Sequence, residues 1–292
     1  MNHSGTQLAP QRRHTSARLM GMILLVGSFV VLAPAQAEAE GFVSIRCRFS
    51  HQVSDDPIVS PGAPGVTHLH QFFGSTRTDA NSTHRSMAEA PSSCRLAKDT
   101  AGYWAPALVS PDGQAVRAIS QIAYYRALGD DPVRAFPSDL RMIAGFPMIW
   151  TGTEGFLGWG CGNGQWYAQP QDCTGQGQLK ANITFPSCWD GFRLDSADHR
   201  SHMAYRVGKR CPDSHPVNLP TLRTHITYDL VDGSGYGLSS DPMMGTENGR
   251  SLHADFWNTW HQETLEGLVR GCLLTGRNCA STTDANLSER LG

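Results

Sequence analysis

Residues 221–230, TLRTHITYDL, alternate between apolar and polar side chains. Successive side chains of an extended strand point to opposite sides, so every second residue shares a face. The residues on the more apolar face are Leu222, Thr224, Ile226 and Tyr228. This alternation predicts a strand with one buried face.

Similar short apolar runs, bounded by Gly, Pro, Asp or Ser, recur along the chain. They lie at residues 41–49, 105–110, 118–126, 140–143 and 179–185. With 30 Gly and 17 Pro, the chain is rich in turn-forming residues. We therefore predict a β-rich α+β fold, with antiparallel sheets joined by long loops and held by disulfides.

One amphipathic helix is predicted near the C-terminus, from Phe256 to about Leu273, with Asp255 as its N-cap. At helical spacing, the apolar face consists of Trp257, Trp260, His261, Leu265, Leu268 and Cys272. Glu266 and Arg270 lie on the opposite face, four residues apart, as an ion pair requires.

The first 37 residues have the three parts of a secretory signal: arginines, an apolar run and a small-residue cleavage motif. The apolar run, residues 19–32, has 14 residues. A membrane anchor, the alternative, needs about 20. We expect a signal peptide over residues 1–37, cut after Ala37 or Ala39, and a secreted or periplasmic protein with no membrane span after signal removal.

Charge and composition limit the partners and the number of domains. After residue 37, acidic residues outnumber Lys and Arg by five, and no basic run remains. This argues against nucleic acid or an anionic membrane as partner. No linker or repeat divides the chain, so we expect a single domain over residues 38–280 and a flexible tail over 281–292.

All eight cysteines follow the predicted signal, and an even number in an exported chain indicates disulfides. A zinc site, the alternative, favours close pairs such as C-x-x-C, which are absent from the sequence. Eight cysteines allow 105 pairings, so connectivity stays open. Proximity in sequence favours Cys47–Cys94, Cys161–Cys173, Cys188–Cys211 and Cys272–Cys279.

Histidines and aspartates gather in a few short motifs. His68 and His70 are two residues apart, which places both rings on one side of an extended segment. A second cluster, at residues 185–205, contains Asp190, Asp195, Asp198, His199 and His202, and His215 follows it. His253 and Asp255 precede the predicted helix. Each motif suits either metal ligation and acid–base chemistry or the bracing of loops by hydrogen bonds.

Tryptophans are the other candidates for ligand contact, because aromatic faces bind sugar rings as well as filling cores. The candidate substrate-binding residues are Trp104, Trp159, Trp166 and Trp189. Trp159 and Trp166 stand in a glycine-rich stretch, residues 158–166.

Several of these motifs, in order, resemble the DUF1996 family. They are Asp56-Pro57-Ile58-Val59-Ser60-Pro61-Gly62, His68-Leu69-His70, Tyr103-Trp104, Phe185-Pro186-Ser187-Cys188-Trp189-Asp190-Gly191, Ser201-His202-Met203-Ala204-Tyr205 and His253-Ala254-Asp255-Phe256. The resemblance implies an exported protein of the kind found in fungi and bacteria, sometimes fused to modules that bind cell-wall sugars. The family's activity is unassigned.

Together these features favour a hydrolase or lyase acting on an extracellular or cell-wall polysaccharide. The predicted catalytic residues are His70, Asp190, His202, His253 and Asp255. The predicted ligands of a divalent metal such as zinc are His68, His70, His199 and His215. The alternatives are a non-catalytic module that binds carbohydrate or cell wall, and a secreted metal-binding protein without turnover.

Overall fold

In a computed structural model, the alternating segment forms a strand, Thr221–Tyr228, inside a six-stranded sheet. The structure describes residues 40–145, 157–162 and 164–291. The predicted signal peptide, residues 1–37, lies outside the described residues. Residues 38–292 form one compact unit.

The strands of the described residues are short. In chain order they are β1 (Phe42–Arg48), β2 (His51–Val53), β3 (His70–Gly74), β4 (Gly102–Pro106), β5 (Leu108–Val109), β6 (Ala115–Val116), β7 (Ala118–Arg126), β8 (Arg141–Gly145), β9 (Leu157–Gly160), β10 (Lys180–Thr184), β11 (Cys188–Trp189), β12 (Met203–Ala204), β13 (Val217–Asn218), β14 (Thr221–Tyr228), β15 (Gly237–Leu238), β16 (His253–Trp257) and β17 (Asn278–Cys279).

Two larger sheets organise these strands. The six-stranded sheet has the order β17-β1-β7-β14-β10-β9 and is antiparallel except for the β1–β17 pair. The five-stranded sheet has the order β2-β3-β4-β16-β8 and is antiparallel throughout. Two smaller sheets have three strands each, in the orders β12-β11-β13 and β15-β5-β6.

One face of each large sheet contributes to a common hydrophobic core. The six-stranded sheet supplies Tyr125 and Ile226, and the five-stranded sheet supplies Tyr103 and Phe256. The predicted fold class is therefore confirmed: the protein is β-rich, with antiparallel sheets, disulfides and a helix near the C-terminus.

The other face of the five-stranded sheet is also buried. A second cluster covers it, made of Ile58, Phe72, Met87, Trp104, Ile143 and Trp257. Ile58 comes from the loop between β2 and β3, and Met87 comes from helix α1 (His84–Ala88). Any polar side chain on this face is consequently held away from bulk water.

All eight cysteines are paired, in the four bridges that sequence proximity favours. The bridges are Cys47–Cys94, Cys161–Cys173, Cys188–Cys211 and Cys272–Cys279. Each closes a loop and so restricts the unfolded chain more than the folded one. Among the described residues, no helix is long or apolar enough to cross a bilayer.

The remaining helices are α2 (Asp241–Met244), α3 (Gln262–Leu268) and α4 (Leu287–Leu291). Helix α3 continues into a π-helical turn, Val269–Leu273. It is the predicted C-terminal helix, and Glu266 pairs with Arg270 at 3.7 Å as expected. Within the predicted tail, Leu291 of α4 lies against Gly267.

The predicted start of that helix is wrong. Asp255 is not an N-cap, since it lies in the middle of β16, and His261 occupies the N-cap position of α3. The reason is tertiary: β16 pairs with β4 on one side and β8 on the other. Residues that match a helical period locally therefore form a strand with two partners.

A chain of buried hydrogen bonds joins the two large sheets inside the core. The Trp260 indole donates to the Tyr125 hydroxyl at 3.1 Å, and Tyr125 is hydrogen-bonded to the Tyr103 hydroxyl. Tyr103 in turn donates to the Asp99 carboxylate at 2.9 Å. Burial raises the pKa of Asp99 to about 8.

We expect Tyr125→Phe to lower the free energy of unfolding by about 2 kcal/mol, because it leaves two buried polar partners, Trp260 and Tyr103, without their shared hydroxyl. Urea denaturation measures the change. Tyr167→Phe, which removes an exposed hydroxyl, is the control. Equal stability of the two variants would contradict the structural role of the chain of hydrogen bonds.

Candidate metal centre

The first part of the site comes from the start of β3. His70 opens this strand on the same face as Phe72, which belongs to the second buried cluster. His68 precedes it by two residues, and the two ring centroids are 4.2 Å apart. The His-x-His spacing thus places both imidazoles together, as predicted from the alternation of an extended chain.

The second part comes from β16, which is separated from β3 by β4. The His253 ring centroid lies 5.1 Å from that of His68 and 6.0 Å from that of His70. Asp255, two residues along the same strand, shares the face of His253 because side chains alternate. The His-x-His and His-x-Asp motifs, 183 residues apart in sequence, therefore meet across the sheet.

These side chains form two overlapping groups of potential metal ligands. Atoms of His68, His70 and His253 all lie within 4.8 Å of one another, and so do atoms of Asp56, His70 and Asp255. His70 belongs to both groups. A third group, at Cys47, Cys94 and Asp99, offers no thiolate because its two cysteines form a disulfide. We call the five-residue set His68, His70, His253, Asp56 and Asp255 the His/Asp centre.

The hydrogen bonds of two imidazoles direct their free nitrogens toward the centre. His70 donates from Nδ1 to the carbonyl oxygen of Asp55 at 2.9 Å, and His253 donates from Nδ1 to that of Ser251 at 2.7 Å. In a neutral ring, a protonated Nδ1 leaves the lone pair on Nε2. A backbone carbonyl in this position is the usual way in which a metal-binding histidine is oriented.

Several buried atoms at the centre have no hydrogen-bond partner. They are both ring nitrogens of His68, Nε2 of His70 and both carboxylate oxygens of Asp255. Buried polar atoms are almost always paired, because leaving one unpaired costs free energy. A cation bound to the acceptor nitrogens of His68 and His70 would pair both of them, so the residues fit a metal ion.

Burial keeps the three imidazoles in the form that ligates metals. Desolvation lowers the pKa of His68 to about 4 and that of His253 to about 3. It also lowers the pKa of His70 well below its usual value, with a smaller contribution from its two neighbours. All three rings are therefore neutral at physiological pH, as metal coordination requires.

The carboxyl groups respond in the opposite direction. Burial and, to a lesser extent, the charge of Asp56 raise the pKa of Asp255 well above its usual range, while Arg200 opposes the shift. Burial also raises the pKa of Asp56, against hydrogen bonds from the Val59 and Ile58 amides. Two adjacent carboxyl groups with raised pKa values are a common feature of sites that bind cations or transfer protons.

Two of the predicted catalytic residues have other partners. Asp190 accepts hydrogen bonds from the backbone amides of Phe192 and Arg193, and its other oxygen accepts one from Arg193 Nε at 2.7 Å. The buried His202 bonds to the Ser196 hydroxyl and to the carbonyl oxygen of Arg141. Neither residue belongs to the groups of three potential ligands found among the described residues.

The predicted ligands His199 and His215 also lie outside those groups. His199 Nδ1 bonds to the Asp195 carboxylate at 2.9 Å, and His215 Nε2 bonds to the carbonyl oxygen of Ser201 at 3.1 Å. The dense motif at residues 185–205 thus braces its own loop for the most part. Its contribution to the centre is Arg200, whose charge opposes the rise in the pKa of Asp255.

The four candidate tryptophans differ in exposure. Trp104 and Trp159 are buried, and Trp159 donates from its indole nitrogen to the carbonyl oxygen of Gly249 at 3.0 Å. Trp166 and Trp189 are half-buried and retain surface on which a ligand can lie.

Sequence reasoning missed Asp56 and Arg200. Asp56-Pro57 begins a turn, and one Asp56 oxygen does accept hydrogen bonds from the Ile58 and Val59 amides. This ordinary turn role concealed its approach to Asp255. Arg200 stood among polar loop residues with no pattern to separate it from them.

The sequence of the chain matches a known protein family over the region that contains the His/Asp centre. Residues 56–260 match the model of a family described as "Domain of unknown function (DUF1996)". The chain belongs to this family. All five members of the His/Asp centre lie inside the matched region of this DUF1996 domain. No curated protein and no solved structure matches the chain significantly.

The metal-free DUF1996 domain should lose stability as the pH falls from 7 to 5. His253 has a folded pKa of about 3, below the ordinary value of 6.5, so the unfolded chain takes up a proton that the folded chain does not. This costs about 2 kcal/mol per imidazole at pH 5. Asp255 acts in the opposite sense, because its raised pKa favours the folded state at lower pH.

Urea denaturation at the two pH values, for His253→Ala and for the exposed control His261→Ala, isolates the contribution of His253. The His253 variant should show the smaller loss between pH 7 and 5, whereas the His261 variant should resemble the original protein. Equal pH dependence in both variants would contradict a neutral, buried His253.

Proposed function

We propose that the protein is an exported, metal-dependent hydrolase or lyase that acts on an extracellular or cell-wall polysaccharide. The metal is a divalent transition metal such as zinc, held by His68, His70 and His253. The observation that carries the proposal is the convergence of three neutral imidazoles and two carboxyl groups, of which His68, His70 and Asp255 have buried polar atoms without a hydrogen-bond partner.

The donor set favours zinc or a related ion over calcium or magnesium. Imidazole nitrogen is a preferred ligand of zinc, copper, iron and nickel, whereas calcium and magnesium prefer oxygen. The backbone carbonyls behind His70 and His253 fix the orientation of both rings before any ion binds. Ligands that are already oriented lose little entropy on binding.

A bound divalent ion of this class supplies a Lewis acid and a water molecule with a lowered pKa. The chain itself supplies the proton acceptor: Asp255 lies beside the ligands, and Asp56 helps to raise its pKa toward the range in which a carboxyl group exchanges protons. Arg200 offsets the negative charge of Asp255. The half-buried His68 is the most accessible of the three histidines, which supports the approach of a substrate from its side.

Export and a polysaccharide substrate are supported by different features. Four disulfides are typical of a protein that works outside the cytoplasm. The half-buried Trp189 offers the aromatic surface that sugar rings bind. The resemblance to exported proteins that are fused to cell-wall sugar-binding modules points in the same direction.

A second candidate is a secreted metal-binding protein without turnover. The burial of the centre favours it: His70, Asp255 and His253 are 0%, 1% and 5% exposed. Such an enclosed centre would hold an ion tightly and admit only a narrow substrate group. The two candidates share the metal and differ in whether the loaded protein cleaves glycosidic bonds.

Elemental analysis of the purified mature protein should find about one transition-metal ion per chain, by analogy with other structural and catalytic histidine sites. His70→Ala and His253→Ala should weaken binding about 100-fold or more in a zinc titration, because each removes an oriented ligand. His215→Ala, which removes an imidazole outside the centre, is the matched control. Stoichiometric metal retained by both ligand variants would refute the assignment.

Asp255→Asn separates the enzyme from the storage protein. It keeps the shape of the side chain but removes the proton acceptor, so we expect the metal to remain bound while the release of reducing ends or unsaturated sugars falls about 100-fold. Mass spectrometry of products from a panel of cell-wall polysaccharides provides the measurement. A loaded, folded protein that cleaves none of them would support the second candidate.

A further inference from the structure

The face of the six-stranded sheet that points away from the core carries an unusual excess of positive charge. Strands β1, β7, β14, β10 and β9 contain no acidic residue, although the chain after residue 37 is acidic overall. The cations that point outward from these strands are Arg46, Arg48, Arg126, Lys180 and Arg223. Their positions alternate with those of the core residues, which turns them to one side.

Aromatic rings lie among these cations. The His225 ring of β14 lies between two others: its centroid is 4.9 Å from that of Tyr124 and 5.1 Å from that of Trp166. The three rings therefore form a row that crosses the strands. Arg223 and Lys180 are near enough to His225 to lower its pKa. We call this row with its neighbouring cations the basic face.

Trp166 rests on the sheet itself. A Cβ at Gly158 would lie 2.8 Å from Cβ of Trp166, and one at Gly160 would lie 3.0 Å from the indole ring. The two glycines of β9 thus leave the space in which the indole packs against the strand. Trp166 remains half-exposed, so part of its ring faces outward as a platform.

A groove opens beside this row. It has a volume of about 320 Å³ and is lined by Phe42, Tyr124, Arg126, Arg223 and His225. Arg223 is oriented by a hydrogen bond from Nε to the Thr184 hydroxyl at 2.9 Å. The groove therefore combines apolar rings with an oriented guanidinium group.

The positive charges of the groove are only partly neutralised. Glu40 pairs with Arg126 at 2.9 Å. Among the described residues, Arg223 and Lys180 form no ion pair with a carboxylate. Burial and the charges of Arg223 and Lys180 lower the pKa of His225 to about 4. After burial, the charge of Arg126 also lowers the pKa of Arg223. An anion in the groove would relieve this repulsion.

We propose that the basic face binds an acidic polysaccharide whose sugars carry carboxylate groups. Guanidinium groups pair with planar carboxylates through two parallel hydrogen bonds, and aromatic faces contact the apolar faces of sugar rings. The chain after residue 37 is acidic overall, which disfavours a nucleic-acid partner, because such a partner binds mainly through its phosphate groups.

This surface is distinct from the His/Asp centre. The centre lies on the outer side of the five-stranded sheet, the basic face lies on the outer side of the six-stranded sheet, and the shared core separates them. The basic face would thus hold the polymer independently of any reaction at the centre. The inference does not depend on the proposed enzymatic activity.

Isothermal titration of the mature protein with an oligogalacturonate, and with a neutral cello-oligosaccharide of equal length, tests the proposal. The acidic sugar should bind more tightly, and sodium chloride should weaken its binding. Trp166→Ala and Arg223→Ala should each weaken it about fivefold or more, through loss of ring contact and of a charged hydrogen bond. Arg46→Ala, an exposed position, replaces Arg223→Ala if thermal melting shows that variant to be unfolded.

One control isolates the basic face. Arg270→Ala removes an exposed arginine from the π-helical turn that follows α3, so this variant should bind the acidic sugar as the original protein does. Equal binding of neutral and acidic sugars, or equal losses in Arg270→Ala, would overturn the proposal. Single-stranded DNA that bound more tightly than the sugar, with the same sensitivity to Trp166→Ala, would overturn it in favour of a nucleic-acid partner.

Discussion

Alternation along β16 is the constraint on which the rest of the structure depends. Ala254 and Phe256 face the core between the sheets, so His253 and Asp255 must face the opposite side. Because β16 is an interior strand, a one-residue slip would place the aspartate in the core and move Phe256 to the opposite face. The pairing that secures the hydrophobic core therefore also fixes the position of two members of the His/Asp centre.

The same sheet is buried on both faces, and this gives the centre its electrostatic character. The loop between β2 and β3 carries Ile58 over the second face and brings Asp56 toward Asp255. Removing these groups from water favours neutral imidazoles and raises the pKa of the carboxyl groups. Burying polar atoms without partners costs folding free energy, and a cation bound there would offset part of this cost.

Local patterns predicted the parts of the structure that depend on local geometry. Alternation located the strand Thr221–Tyr228, proximity in sequence gave all four disulfides, and the His-x-His spacing placed His68 beside His70. What failed was non-local. Asp255 satisfied the local rules for a helix cap, and only its pairing with β4 and β8 makes it a strand residue. The density of polar residues also misled, because a compact cluster such as that around Asp190 can satisfy its own hydrogen bonds. The members of the His/Asp centre instead come from segments that are distant in sequence.

The two outer faces of the stacked sheets illustrate how one alternating pattern supports different chemistry. On the five-stranded sheet, a loop and a helix cover the polar residues, and burial favours ligands for a small, highly charged ion. On the six-stranded sheet, the cations remain partly in water, where several weak contacts along a polymer would add to one another. Burial, rather than residue type, therefore decides which face suits an ion and which suits a chain of sugars, since histidines and aromatic rings occur on both.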